Sequence, residues 1–242
     1  MTDAPTPAEI DAILAGPDDA ARRKMTEWAK AGSPEAQTIL GQMLMDGRGG
    51  PADPVAGFGW FLKAARAGRP MAANMVGRCY ENGWGVTPSD EAATSWFAQA
   101  AHAGLDWGMY NFATSLALGR GVPENKAAAR AWLEKAVALG HAKSMTVLGG
   151  FLEDGWAGPT DRAGARTLYE QGAAGGDFRG AFNVGRLLVE DGRASEATPV
   201  FQTAWRTGNP AFRDNLLTWL SGRPEPAMIE LRRVLAAGRG DS

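Results

Sequence analysis

The sequence predicts an all-α fold of stacked helix pairs, because three series of residues recur every 36 positions. The series are Gly41, Gly77, Gly149 and Gly185, with Ala113 in the remaining slot; Gly68, Gly104, Gly140 and Gly176; and Trp60, Trp96 and Trp132. A fixed period of this length is typical of a solenoid whose units bury their apolar faces against their neighbours.

The first helix of each unit is predicted to begin at a position that also recurs. The five starts are Pro34, Pro70, Asp106, Ala142 and Phe178, the last capped by Asp177. Residues such as Val76, Gly77 and Tyr80 then follow one helical stripe over about a dozen residues. Glycine in mid-helix costs about 1 kcal/mol relative to alanine. Its recurrence on this stripe therefore predicts a close approach between helices.

A glycine is predicted to end each first helix, and a polar cap to begin the second. The glycines are Gly47, Gly83, Gly119 and Gly155, where a left-handed backbone closes a helix. The caps are Asp53, Ser89, Asn125 and Asp161, whose side chains accept free backbone N–H groups. Each second helix places large residues, such as Trp96-Phe97, one turn before small ones, such as Ala100-Ala101. This pattern allows antiparallel helices to nest.

The ends depart from the period, as terminal repeats of a solenoid do. Residues 1–33 are expected to form N-terminal cap helices over Pro7–Leu14 and Asp18–Gly32. Five repeats occupy residues 34–208, and a four-residue deletion in the fifth aligns Gly208 with Gly176. Residues 209–242 are expected to hold cap helices over Pro210–Leu220 and Pro226–Ala237 and a frayed tail from Gly238. We therefore expect residues 1–242 to form a single solenoid domain.

Composition and the start of the chain limit the functional classes. A net charge of −2 gives no basic field for nucleic acid, and no apolar run is long enough to insert into a membrane. The first residues lack the basic and apolar segments of a secretory signal. Cys79 is the only cysteine, so no disulfide framework is expected. These observations predict a cytoplasmic protein.

Catalytic and metal-binding motifs are sparse. The chain contains two histidines and lacks a phosphate-binding Gly-x-x-x-x-Gly-Lys loop, a His-Glu-x-x-His helix and a Ser-x-x-Lys motif. His141 falls at a repeat junction and His102 near a helix end, so both are expected to be structural or surface residues. We therefore expect neither enzymatic activity nor a cofactor or metal site.

The segment from Ala72 to Gly104 resembles a Sel1-like repeat, a relative of the tetratricopeptide repeat with a longer inter-helix loop. It carries the pattern Ala-x-x-x-x-Gly-x-x-Tyr, then Gly-x-Gly-Val, then Trp-Phe-x-x-Ala-Ala-x-x-Gly. The resemblance extends from about Asp18 to Leu220. It implies a right-handed α-α superhelix with a concave groove and a role in protein–protein interaction, often as an adaptor in bacterial signalling, envelope regulation or secretion.

In such superhelices the first helices line the concave face, and helical geometry selects the positions that point there. The ten residues selected are Asn74, Arg78, Trp107, Tyr110, Asn111, Thr114, Lys143, Arg179, Asn183 and Arg186. Asparagine can bond both peptide N–H and C=O, arginine can fork onto a carboxylate, and aromatic rings supply rigid contact area. An alternative is that Tyr110 is packed in the core.

The basic members of this set predict a protein or peptide ligand that is acidic or carries a free carboxylate. The alternative is scattered solvated charge, balanced by Glu81, Glu153 and Glu190. The leading hypothesis is thus a non-enzymatic scaffold or adaptor that binds a protein segment in its groove. Two alternatives remain open: an enzyme acting on cell-wall or β-lactam substrates, and a repeat module of a larger signalling protein.

Overall fold

The computed structural model describes residues 5–237, which form fourteen α-helices and no strand. The five first helices are α3 (Pro34–Asp46), α5 (Pro70–Asn82), α7 (Asp106–Leu118), α9 (Ala142–Asp154) and α11 (Phe178–Glu190). The five second helices are α4 (Pro54–Arg66), α6 (Asp90–His102), α8 (Lys126–Ala138), α10 (Arg162–Ala174) and α12 (Ala194–Thr207). The cap helices are α1 (Pro7–Leu14), α2 (Asp18–Lys30), α13 (Pro210–Ser221) and α14 (Pro226–Ala237). The tail that was expected to fray from Gly238 lies outside the described residues.

The predicted helix caps are confirmed. The side chains of Asp53, Ser89, Asn125 and Asp161 accept backbone N–H groups three residues onward at 2.8–3.2 Å. The four glycines that close the first helices are left-handed, with φ of 68° at Gly47, 71° at Gly83, 66° at Gly119 and 72° at Gly155. Helix boundaries in this chain are therefore set by local chemistry that repeats with the period.

The recurrent mid-helix glycines face aromatic rings, which confirms the predicted close approach. A Cβ atom added to Gly41 would lie 2.7 Å from the Phe61 ring, and one added to Gly77 would lie 2.5 Å from the Phe97 ring. A Cβ atom added to Gly149 would lie 2.6 Å from the Tyr169 ring, and one added to Gly185 would lie 2.7 Å from the Phe201 ring. All four rings are buried. In each of these repeats the ring of the second helix therefore occupies the space that a side chain on the first helix would fill.

The helices divide into two compact units, Met1–Trp132 and Leu133–Ser242. In the first unit, α2 packs on α3, and successive first and second helices pack through α7. Phe61, Val76 and Cys79 form part of its core between α4 and α5. In the second unit, α9 to α12 pack in the same serial order. One hydrophobic cluster of this unit includes Phe201 and Leu216 and is completed by α14.

Two positions differ from the pattern in ways that matter for packing. Gly208 aligns with Gly176, whose φ is 90°, yet its own backbone is extended, with φ −75°. A Cβ on Gly208 would lie 2.2 Å from the Phe212 ring, so glycine is required there for space.

Ala157 aligns with Gly49, Gly85 and Gly121 and is the one described non-glycine residue with positive φ, at 60°. This conformation costs an alanine about 1 kcal/mol.

None of the helices described is both long enough and apolar enough to cross a bilayer.

Packing at Gly77 can be tested by comparison with Gly59, a helical glycine with open space around the position of its missing Cβ. Gly59→Ala should raise the free energy of unfolding by about 0.5–1 kcal/mol through helix propensity. Gly77→Ala should lower it by about 1–2 kcal/mol net, because overpacking against Phe97 outweighs the same gain. Urea unfolding monitored by circular dichroism would measure both. A stabilising Gly77→Ala would contradict the close-packing account.

Candidate functional site

In the first unit, α5 and α7 lie side by side and carry six of the ten predicted residues. Asn74 on α5 is 3% exposed, and its Oδ1 accepts a hydrogen bond from Nδ2 of Asn111 on α7 at 2.8 Å. The two asparagines therefore join neighbouring first helices. Asn111 is half-buried and keeps its amide oxygen as an acceptor.

Two aromatic residues on α7 follow this pair toward the N-terminus of the helix. Trp107 is 38% exposed, and its ring meets that of Tyr110 edge to face, with centroids 6.3 Å apart. Tyr110 is half-buried, so it is neither a free surface ring nor a fully buried core residue. The hydroxyl of Thr114 donates to the backbone carbonyl of Tyr110 at 2.9 Å, which uses that hydroxyl within the helix.

Arg78 is exposed on α5, and its guanidinium lies 5.0 Å from the centroid of the Trp84 ring. Among the residues described, no carboxylate forms an ion pair with Arg78. Other arginines of this unit are paired: Arg48 with Asp18, Arg69 with Glu35 and Arg120 with Glu81. Together with Gln42, Met45, Asp46 and Met75, Arg78 and Trp84 line a cleft of about 260 Å³. Met45, Asp46 and Trp84 are not among the ten residues that the repeat pattern predicts for the site.

In the second unit, Arg186 on α11 is held by carboxylates of the fold itself. Its guanidinium donates to Glu153 on α9 at 2.5 Å and to Glu190 at 2.8 Å. The hydroxyl of Tyr169 donates to the same Glu153 oxygen at 2.7 Å. Partial burial opposes the charged form of Glu153, but the hydrogen bonds from Arg186 and Tyr169 outweigh it and lower the pKa of Glu153. Burial, reinforced by the bond to Glu153, raises the pKa of Tyr169.

The remaining predicted residues of the second unit are half-buried on α9 and α11. Nε of Arg179 donates to Oδ1 of Asp177 at 3.1 Å, and the same oxygen caps the start of α11. Lys143 lies in the first turn of α9, and Asn183 lies in the second turn of α11. Arg179 and Arg186 therefore already contact carboxylates of the fold.

The other titratable groups singled out by sequence have structural positions. His141 is buried at the start of α9, where its Nδ1 accepts the Ser144 backbone N–H and lies 2.8 Å from the Ser144 hydroxyl. Burial raises the pKa of the Cys79 thiol to about 11, which leaves it protonated at neutral pH. In the part of the chain that the structure describes, no group of three His, Cys, Asp or Glu side chains is placed to hold a metal ion.

The family model of the Sel1 repeat matches residues 34–68, 70–105, 108–141 and 142–177, more than half of the chain. The chain belongs to the Sel1 repeat family. Sel1 repeats are generally non-catalytic modules for protein–protein interaction. The matches end at residue 177, but α11 and α12 beyond it retain the packing of a glycine against a ring. The four-residue deletion therefore shortens the fifth repeat without changing this contact.

Solved structures share this fold. A Sel1 repeat protein from Oxalobacter formigenes is 25% identical with a TM-score of 0.80, covering 96% of this chain and 99% of that one. A protective antigen of uropathogenic Escherichia coli with an SLR fold is 24% identical with a TM-score of 0.69. The similarity covers 92% of this chain but half of the antigen. An immunity protein from Pseudomonas aeruginosa is 16% identical, with a TM-score of 0.58 over 85% of this chain and 80% of that one. No curated protein matches the chain.

The network around Arg186 predicts a loss of stability when its cation is removed. Arg186→Gln should lower the free energy of unfolding by about 1–2 kcal/mol at pH 7, because it leaves Glu153 partly buried without its cation. Urea unfolding at pH 7 and pH 3 would measure the change.

The pH dependence follows from the lowered pKa of Glu153. The stability that this group contributes is present above its ordinary value of 4.5 and is lost as the pH falls through the lower folded value. The difference between wild type and Arg186→Gln should therefore shrink at pH 3. Arg78→Gln is the matched control and should leave stability unchanged at both pH values. Equal losses in the two variants would contradict the assignment.

Proposed function

We propose that this Sel1 repeat protein is a non-enzymatic scaffold that binds an extended segment of a partner protein on the face formed by its first helices. The observation that carries the proposal is the surface of α5 and α7, on which Arg78 and Trp107 face solvent beside the Asn74–Asn111 pair. An exposed tryptophan, an exposed arginine without an ion-pair partner among the described residues and an amide together offer the three kinds of contact that bind a peptide.

Each side chain has a distinct part in this proposal. Trp107 supplies rigid apolar area at low entropic cost, supported edge to face by Tyr110. Asn111 offers its amide oxygen to a backbone N–H of the segment, while its Nδ2 stays bonded to Asn74. Arg78 offers a planar, permanently charged fork to a carboxylate. Thr114 contributes its methyl group, because its hydroxyl is bonded within α7.

The acidic preference of the ligand is proposed to come from the first unit. Arg179 and Arg186 contact Asp177, Glu153 and Glu190, so these two arginines contribute little net positive charge to a ligand. Lys143 and Asn183 are proposed to contact the partner through polar bonds. We further propose an adaptor role in the cytoplasm, which the single buried cysteine supports.

Partner capture by paired variants tests the proposal. Arg78→Ala with Trp107→Ala should abolish retention of a partner from a lysate of the source cells, read by mass spectrometry. The melting midpoint should stay within a few degrees of wild type, because both side chains are exposed. The matched control is Val55→Ala with Arg66→Ala, an exposed apolar residue and an exposed arginine on the second helix α4. This control should retain the partner.

The same comparison can contradict the proposal. If both double variants and the wild type retained the same proteins, the first-helix face would not be the binding surface. If the control alone lost its partner, binding would lie on the second helices instead.

A further inference from the structure

We propose that the cleft lined by Gln42, Met45, Asp46, Met75, Arg78 and Trp84 binds one internal aspartate or glutamate of the partner segment together with an adjacent apolar side chain. This inference rests on the proposed function and specifies which residue of the partner is recognised. The cleft measures about 260 Å³, below the usual range for cofactors and drug-sized ligands. Its size suits amino-acid side chains.

The second unit contains the interaction that the cleft lacks. Arg186 occupies the same repeat position as Arg78, 108 residues later, and Glu153 occupies the same position as Met45. Glu153 and Arg186 form an ion pair at 2.5 Å. An arginine at this position of the repeat is thus placed to bind a carboxylate that lies over the preceding first helix. At Arg78 the chain supplies a methionine instead, so the carboxylate is left for a ligand to provide.

The guanidinium of Arg78 lies over the ring of Trp84. The central carbon of the Arg78 guanidinium lies 5.0 Å from the centroid of the Trp84 ring, which is the distance of a cation–π contact. In such a contact the ring restricts the motion of the guanidinium. The N–H groups of a guanidinium point outward in its plane and can fork onto one carboxylate. Because no described carboxylate pairs with Arg78, these donors need not break an ion pair to bind a ligand.

Trp84 lies in the loop after α5, and the backbone of this loop is held on two sides. The backbone N–H of Trp84 donates to the carbonyl of Cys79 at 3.0 Å, which ties the loop to the end of α5. On its other side, a Cβ at Gly85 would lie 2.1 Å from the Pro54 carbonyl oxygen, so the loop backbone sits directly against the start of α4. A fixed loop backbone limits the conformational entropy that the Trp84 side chain loses on binding.

The remaining lining residues select an internal acidic residue with an apolar neighbour. Met45 and Met75 supply an apolar wall whose flexible thioether side chains adapt to different shapes. Asp46, held by Gln42 at 2.8 Å, places a carboxylate on the cleft that can accept a backbone N–H of the bound segment. A residue inside a chain offers one side-chain carboxylate and main-chain N–H groups on both sides, which fits this arrangement.

Selection from a phage-displayed library of random dodecapeptides tests the inference with no partner known. Peptides selected on the wild-type protein should share an aspartate or glutamate at one position next to an apolar residue. The most enriched peptide, synthesised with an amidated C-terminus, should bind wild type about tenfold tighter than Arg78→Gln by fluorescence polarisation. Arg78→Lys should fall between them, because it keeps the charge but loses the fork. Arg66→Gln on α4 is the matched control and should bind as wild type does.

Met45→Glu provides a second and independent variant. It places in the first unit the carboxylate that Glu153 supplies in the second, so it should pair with Arg78 and reduce binding of the acidic peptide at least tenfold while the fold is kept. A wild-type circular dichroism spectrum and a single cooperative unfolding transition would verify the fold. Unchanged binding in this variant would overturn the inference.

The outcomes separate this inference from the proposed function. Enriched peptides without an acidic position, or the same motif selected on Arg78→Gln, would refute the acidic subsite and leave the peptide-binding scaffold intact. Binding that required a free C-terminal carboxylate would also overturn the choice of an internal residue. Failure to enrich any peptide would contradict both.

Discussion

The contact between a glycine of the first helix and a buried ring of the second constrains the rest of this structure. With the ring less than 3 Å from the position of the missing Cβ at Gly41, Gly77, Gly149 and Gly185, no side chain can separate the helices. Residues of the first helices that lie away from this packed stripe, such as Arg78 and Trp107, remain exposed and can serve binding.

Helix boundaries could be predicted closely because their causes are local and repeat with the period. Caps such as Ser89 and terminal glycines such as Gly83 recur at fixed positions and mark both ends of a helix. The role of Gly208 could not be predicted, since glycine required for a left-handed backbone and glycine required for space are identical in sequence. Only the contact with Phe212 distinguishes them. Ala157 occupies a position where other repeats have glycine, and only the structure shows that the alanine keeps the positive φ.

The candidate site was harder to predict than the fold. The 36-residue period indicates which positions lie outside the core. It does not indicate which side chains form ion pairs, because the partners lie on neighbouring helices. Arg78 and Arg186 share one repeat position, yet Arg186 is bound by Glu153 while Arg78 stacks on Trp84. The residue 33 positions before each arginine differs: it is Met45 for Arg78 and Glu153 for Arg186. Comparing these two positions in the sequence would have indicated that Arg186 has a carboxylate partner and that Arg78 lacks it. The stacking on Trp84 depends on a loop conformation that periodicity does not specify.

A double-mutant cycle at Gly77 and Phe97 tests the packing constraint most directly. The third repeat carries Ala113 and Leu133 at the two equivalent sequence positions, so Gly77→Ala with Phe97→Leu recreates a combination that the chain already uses. If steric complementarity governs pairing, the double variant should be more stable than the sum of the single effects by about 1 kcal/mol or more in urea unfolding. Strictly additive effects would contradict the account.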